Sequence, residues 1–414
     1  LRHKRNLLIA SLVALILVFL AGLTWVNLTL VQRYPDGREF HVNWLAARGF
    51  IFDNNNPYGS QVARGIQRAI YGHAAGPDEY PYFPDYPFYI LFIYLPFAYV
   101  ADLSLARAMW MVVLEVALVG LAFLSLRLAD WRPKRAVLAS YLIFAFLWFY
   151  GLAPLLNGGL VILLALFFGC ALLALQIGLD EIAGVLLALT TFKWEVGGLL
   201  LLFLMVRVTA QRRWRVLAGF FMTLFVLIAA ATIFFPGWYV SFLRAVVTDY
   251  RVDVGVTTFR VFQSWWPMVG RQLGIALTIV LVVLLFLEWR AARYADFRRV
   301  YWTACLTLAA TPLLGLRTDF KDFVTLLLPL TLVLAVAQER WRGGAWLAAA
   351  LLLLVFAGPW LLLWQVVPLH AGSLEAGMFL LLPLSCVLGL YWLRWWTLRP
   401  PRTWLDEVSQ SASR

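Results

Sequence analysis

Polar positions along this chain come in short clusters, and the apolar blocks between them are too long for the elements of a soluble core. About 20 apolar residues cross a hydrocarbon layer of roughly 30 Å, so the blocks predict membrane-spanning helices. They fall near residues 7–30, 86–100, 105–126, 136–150, 160–177, 182–206, 216–235, 273–287, 300–316, 323–337, 346–367 and 376–395, twelve in all. A membrane barrel would show short alternating segments instead and is excluded. The first block follows Arg2, Lys4 and Arg5. It exceeds a signal-peptide core and has no clear small-residue cleavage site after it, so a retained first span is expected.

Two long segments, 31–85 and 236–271, mix aromatic and charged residues and are expected to fold outside the membrane. Within the first, EFHVNWLAARGFIF (39–52) and SQVARGIQRAIY (60–71) carry apolar residues at helical spacing. Val62, Ile66, Ala69 and Ile70 would form one face of the second helix, with Ser60 as its N-cap. DNNNPYG between them predicts a turn, and GPDEYPYFPDYP (76–87) predicts irregular structure. The expected fold is an all-α polytopic membrane protein of about twelve transmembrane helices with an external cap of amphipathic helices. Its parts would be a cytoplasmic N-terminus and first span (1–30), an external loop (31–85), a membrane bundle (86–235), a second external loop (236–271), a further bundle (272–396) and a cytoplasmic tail (397–414).

Composition agrees: 63% of the 414 residues are hydrophobic and 14% are charged, against about 25% charged in soluble domains. The net charge of +12 does not point to nucleic acid, because the basic residues sit in clusters between spans, the usual cytoplasmic signal. With both termini cytoplasmic, alternation puts Arg207/Arg212/Arg213/Arg215, Arg290/Arg293/Arg298/Arg299, Arg340/Arg342 and Arg394/Arg399/Arg402 inside. One cluster, Arg127, Arg132, Lys134 and Arg135, comes out external and breaks the rule. Cys170, Cys305, Cys386 and the four histidines show no ligand spacing, and no external loop has an Asp-x-Asp pair. No metal or cofactor is expected.

Chemistry on an external face needs reactive groups in the loops or at span ends. The first loop offers the carboxylates Asp36, Glu39, Asp53, Asp78, Glu79 and Asp85. Glu39 opens a predicted amphipathic helix, where a first-turn acid is favourable whether or not it reacts. Arg317, Lys321 and Arg260 are candidate anion-binding cations, although headgroup-facing charge is the commoner role of such residues. Lys193 lies mid-span with Glu195 two residues later, so it reads equally as functional or as one half of a structural charge pair. His41 and Trp44 share a helix with Glu39. With Tyr86 they could contact a sugar or lipid, though interfacial aromatics more often anchor a membrane protein.

A first span, the pair Glu39–Phe40, WLAARGFIFDNNNPYG and then DYPFYILFIYLPFAYV resemble the bacterial glycosyltransferase-C superfamily. They are most like glycosyltransferase family 87, the polyprenyl-phosphate-mannose-dependent mannosyltransferases and their relatives. Glu39, Phe40, Trp44, Ala46, Ala47, Pro57, Tyr58, Tyr86 and Pro87 stand at the motif places, and Asp180, Ala183, Gly184 and Lys193 match a later one. TPLLGLRTDFKDFVTLLLPL resembles the family's late external turn. The sequence departs from the pattern with Glu39 for the usual Asp (Asp36 being a rival), with the turn Asn157-Gly158-Gly159, and with Trp194 after Lys193.

The resemblance implies a glycosyltransferase of the bacterial plasma membrane. It would move a sugar, plausibly mannose, from a polyprenyl-phosphate donor to a lipid or glycan acceptor on the external face. Glu39 or Asp36 would be the general base, and Arg317, Lys321, Arg260 and Lys193 would hold the donor phosphate. Phosphate is already a good leaving group, so one carboxylate suffices where a glycoside hydrolase needs two. The alternatives are a transporter or flippase using Lys193 and Glu195, and a structural subunit of a membrane complex.

Overall fold

The structure is a computed structural model that describes residues 2–76, 79–252, 257–340, 343–369 and 372–398. Asp78, Arg342, Arg399, Arg402, part of the second loop (253–256) and the tail from 399 lie outside the described residues.

The helices in chain order begin with α1 (Arg2–Arg33), α2 (Arg38–Asp53), α3 (Ser60–Tyr71), α4 (Leu91–Ala98), α5 (Leu103–Leu128) and α6 (Arg135–Leu147). Next come α7 (Phe149–Asn157), α8 (Val161–Ile177), α9 (Asp180–Ala188), α10 (Trp194–Ala210), α11 (Trp214–Phe234) and α12 (Trp238–Val252). The last are α13 (Thr258–Trp265), α14 (Gly270–Ala292), α15 (Phe297–Ala310), α16 (Leu327–Arg340), α17 (Gly344–Leu369) and α18 (Gly372–Leu398). Short 3₁₀ turns, Phe88–Ile90, Thr311–Leu314 and Phe320–Leu326, lead into or out of α4, α15 and α16.

Seven helices among the described residues are long and apolar enough to cross a membrane: Ile9–Arg33, Leu103–Leu128, Trp214–Phe234, Gly270–Ala292, Phe320–Arg340, Trp346–Trp364 and Phe379–Leu398. The chain is a multi-pass membrane protein, and these seven correspond to seven of the twelve predicted blocks. The other five blocks are apolar but are not single long helices. Residues 86–100 yield only Phe88–Ala98, and α8 and α15 are short. Residues 136–150 end in a 44° bend between α6 and α7, where Trp148 is extended (φ −67, ψ 150). Residues 182–206 are split into α9 and α10.

The chain forms two compact units. The first comprises Leu1–Gly120, Gly151–Leu163 and Leu224–Val254. Its α2 and α3 form where helical periodicity predicts them. α2 ends at Asn54 in the left-handed region (φ 52), and α3 ends at Gly72 (φ 81). The cap of α3 differs from expectation: Gly59 is the N-cap and Ser60 is already helical. The buried face is Val62, Ile66 and Gln67, while Ala69 is exposed. Gln67 is buried because its amide donates to the Pro81 carbonyl at 2.6 Å and accepts from the Ala75 N–H at 3.1 Å, which holds Ala75 and Pro81 over α3. Phe40, Tyr94 and Trp110 build a fully buried aromatic core between α2, α4 and α5.

Hydrogen bonds inside this unit correct the predicted alternation. Asn157 and Leu160 bond to Glu39 (3.1 and 3.2 Å), so the turn at 157–160 lies at the same end as the first loop, not on the opposite side. Twenty residues along α5 from Arg107, which bonds to that turn at the Leu156 carbonyl, Arg127 lies roughly 30 Å away at 1.5 Å per residue. Arg127, where the basic cluster at 127–135 begins, lies in the last turn of α5.

The second unit comprises Leu121–Tyr150, Leu164–Thr223 and Gly255–Arg414. α15 and α16 are buried along their apolar stretches. A chain of hydroxyls, Ser125–Tyr141 at 2.6 Å and Tyr141–Thr331 at 2.7 Å, satisfies the buried Tyr141 between α5, α6 and α16. Arg213 ion-pairs with Asp180, and Gly184 and Gly219 bring α9 and α11 backbone to backbone. The pair α9–α10 thus starts and finishes at one end, so the apolar run 182–206 makes no net crossing.

Candidate functional site

Glu39 stands in the first turn of α2, half-buried, with its carboxylate held by three donors from two other segments of the first unit, Tyr86 and the turn 157–160. The Tyr86 hydroxyl donates to Oε1 at 2.6 Å and the Leu160 backbone N–H donates to Oε1 at 3.2 Å. The Asn157 amide donates to Oε2 at 3.1 Å. Leu160 leads into α8, so the N-terminal ends of two helices, α2 and α8, converge on the carboxylate, a favourable place for negative charge. A carboxylate has about four lone-pair sites. Two bonds on Oε1 and one on Oε2 leave the remaining acceptor position on Oε2.

The local sequence explains the convergence. Gly158 turns the chain at φ 79, and a side chain there would strike Phe40 at 2.5 Å. At Gly159 a Cβ would come 3.1 Å from Glu39 Oε2 and 3.3 Å from Pro154, so the absence of a side chain keeps the space beside Oε2 open. Tyr86 is buried. Burial first, and the charge of Glu39 second, raise its pKa well above the ordinary tyrosine value, so the hydroxyl stays protonated and remains a donor.

The structure brings Glu39 and Tyr86 together and leaves Asp36 apart. Asp36 has a side chain 74% exposed and pairs with Arg38 at 3.1 Å. His41 is buried, and burial followed by the charge of Arg107 lowers its pKa to about 4, so it is neutral near pH 7. Trp44 is also buried. Its indole N–H donates to the Phe97 carbonyl at 2.9 Å and Arg48 lies over its ring at 4.9 Å, which ties α2 to α4.

In the second unit Lys193 is the N-cap of α10, at the break after α9. Its ammonium donates to Asp322 at 2.5 Å, with the two side chains 18% and 4% exposed. Sequence reading set Glu195 beside it; the ion-pair partner comes from 129 residues away. Asp322 also accepts from the Asp319 N–H at 2.9 Å, and Lys321 pairs with Asp319 at 3.2 Å. Lys193 and Lys321 are thereby gathered at the turn 315–322, which also carries Arg317. Arg260 lies on α13, a different element. Among the described residues no three His, Cys, Asp or Glu side chains are grouped to hold a metal.

Sequence reasoning missed Arg107, Asn157 and Leu160 as neighbours of Glu39. Arg107 carried a signal, an ionisable residue inside a predicted span. Asn157 was visible only as a departure from a motif, and a backbone N–H leaves no trace in side-chain chemistry.

The fold defines a multi-pass helical membrane protein, and comparison with known families sharpens that class. Residues 83–316 match the model of glycosyltransferase family 87, and the chain belongs to that family, as a membrane glycosyltransferase. The match includes Tyr86, Arg107, Asn157, Leu160, Lys193 and Arg260; Asp36, Glu39, His41 and Trp44 precede it, and Arg317 and Lys321 follow it. No curated protein and no solved structure matches the chain.

Proposed function

We propose that this glycosyltransferase moves a sugar, with mannose the first choice, from a polyprenyl-phosphate donor to a hydroxyl of a lipid or glycan acceptor, with Glu39 as general base. The observation that carries the reading is the three-donor grip on Glu39, which orients the carboxylate while leaving one acceptor position on Oε2. In the step proposed, the acceptor O–H gives its proton to Oε2 as its oxygen attacks the anomeric carbon. The bond from that carbon to the phosphate oxygen breaks, and the electron pair leaves with the polyprenyl phosphate. A single displacement of this kind inverts the anomeric centre. Holding the acceptor oxygen in line with the anomeric carbon supplies much of the rate.

The leaving phosphate needs cations, and we assign this role to Lys193, Lys321, Arg317 and Arg260, with the first loop and residues 236–271 on the external face of a bacterial plasma membrane and both termini cytoplasmic. Sugar contact is assigned to Tyr86, His41 and Trp44, and Asp36 stands as reserve base. The broken helix at Lys193 also fits a transporter, since discontinuous helices line transport sites. That reading predicts that Glu39 is replaceable.

The test compares membranes carrying the native chain or Glu39→Gln at equal expression, given radiolabelled polyprenyl-phosphate-mannose and native lipid and glycan extract. Transfer by the native chain and loss of at least a hundredfold in the variant supports the proposal. Equal transfer by both removes Glu39 and moves the role to Asp36. No transfer by either, with polyprenyl-phosphate-glucose tried next, discards the donor assignment.

A further inference from the structure

We propose that Arg107 is a positioning residue for Glu39: its guanidinium clamps the two chain segments whose meeting assembles the carboxylate site. The inference rests on the reading of Glu39 as general base. Arg107 opens the second turn of α5 inside an apolar run and is 1% exposed. An ionisable side chain so placed requires partners or a function. One terminal nitrogen donates to the Tyr34 carbonyl at 3.0 Å, in the strand of chain that leaves α1 just before Glu39. The other donates to the Leu156 carbonyl at 2.6 Å, one residue before Asn157, which itself holds Glu39 Oε2. A planar fork with five donors suits this task, since it binds two carbonyls at a fixed separation.

The surrounding residues accommodate the clamp. At Gly37 a Cβ would lie 2.3 Å from Arg107 Nε and 2.5 Å from its guanidinium carbon. The φ of Gly37 (161) lies outside the left-handed region, and the observed requirement for glycine there is room for the guanidinium. One turn further along α5, the Trp110 indole N–H donates to the Gly158 carbonyl at 3.0 Å, and its ring stacks on Phe40 at 6.3 Å. One face of α5 therefore grips the turn 156–158 twice, the linker after α1 once and the start of α2 once. Glu39 lies between the two gripped segments, and the Asn157 and Leu160 donors reach it only while both are held.

Arg107 donates to neither Glu39 nor its remaining lone pair, so its removal is expected to lower kcat and leave the donor KM nearly unchanged. A displacement near 1 Å at a reacting group lowers rates on the order of a hundredfold. The experiment uses the full chain in detergent or nanodiscs with radiolabelled polyprenyl-phosphate-mannose and the lipid and glycan extract. It compares Arg107→Gln, Arg107→Lys, Gly37→Ala, Glu39→Gln and the double variant Glu39→Gln/Arg107→Gln. Hydrogen exchange at 34–41 and 156–160, read without any substrate, reports the clamp independently of activity.

Expected are faster exchange at both segments in Arg107→Gln and Gly37→Ala, a kcat loss of about a hundredfold with KM changed less than about threefold, and partial rescue in Arg107→Lys. The double variant should be no slower than Glu39→Gln alone. Gly37→Ala keeps the arginine and its charge, so it tests the clamp even if Arg107→Gln does not fold. Unchanged exchange at both segments, native kcat in Gly37→Ala, or a further large loss in the double variant would each overturn the proposal. Should Glu39→Gln stay active while exchange quickens in Arg107→Gln, the base assignment fails and the clamp stands as a structural device only, which also overturns its positioning role.

Discussion

Replacing Asn157 by aspartate conserves the shape of the side chain and changes one thing, the group that faces Glu39 Oε2 at 3.1 Å. The donor becomes a second carboxylate. At an effective dielectric near 20, two like charges about 3 Å apart repel by about 5 kcal/mol. Glu39 is half-exposed, and solvent screening brings the figure to about 2–3 kcal/mol. The pair can relieve this by sharing a proton or by swinging Glu39 out of place, and either removes the carboxylate aimed at the acceptor. Asn157→Ala deletes only the hydrogen bond, about 1.5 kcal/mol for a charged acceptor or roughly tenfold in rate. Asn157→Asp should be slower again by about 30- to 150-fold, at 1.4 kcal/mol per factor of ten. The assay is initial-rate transfer of label from polyprenyl-phosphate-mannose by native chain, Asn157→Ala and Asn157→Asp at matched amounts, with thermal melting of each to show that the fold is intact. If Asn157→Asp transfers as fast as Asn157→Ala, the amide does not face the working carboxylate and the site is wrongly drawn.

Gly159→Ala places a methyl 3.1 Å from Oε2, so transfer should fall about tenfold and Gly159→Leu should abolish it, as measured by the same label assay. His41 gives a pH signature in thermal melting. Its folded pKa is about 4 against about 6.5 unfolded, so the unfolded chain takes the proton first. Its contribution, up to about 3 kcal/mol, is present above pH 6.5 and is lost progressively toward pH 4. His41→Gln should flatten that part of the profile, and an unchanged profile would disprove the assignment. Lys193→Met leaves Asp322 charged and 4% exposed, which should destabilise the chain by about 3–5 kcal/mol. Lys193→Met/Asp322→Asn should recover most of that in melting experiments, and a single variant as stable as the native chain would show the pair to be unimportant.

The sequence made the helices of the first loop legible, because α2 and α3 keep one apolar stripe over several turns and are bounded by Asn, Pro and Gly. It also singled out Glu39, by its place at the start of a predicted amphipathic helix, and Tyr86, through a resemblance to a family whose match, residues 83–316, includes Tyr86 and begins after Glu39. Twelve spans were expected where seven long apolar helices stand among the described residues, since hydropathy records burial from water and cannot tell a crossing helix from a short or broken one packed inside protein. Thr190 to Lys193 interrupts the run 182–206 with only one charge, too little to mark a break by composition. Asn157 and Leu160 were hidden for another reason: their role is a meeting with a residue more than a hundred positions away, and no local pattern encodes it.

The grip on Glu39 also sets an order of events during synthesis. Glu39 is made early, but its backbone donor lies 121 residues later, at Leu160. Until residues 157–160 are made, the carboxylate lacks its Asn157 and Leu160 donors. On the proposed role of Glu39, a nascent or truncated chain that stops before α8 would be inert in transfer, and competence would arrive when the turn at 157–160 closes on the loop.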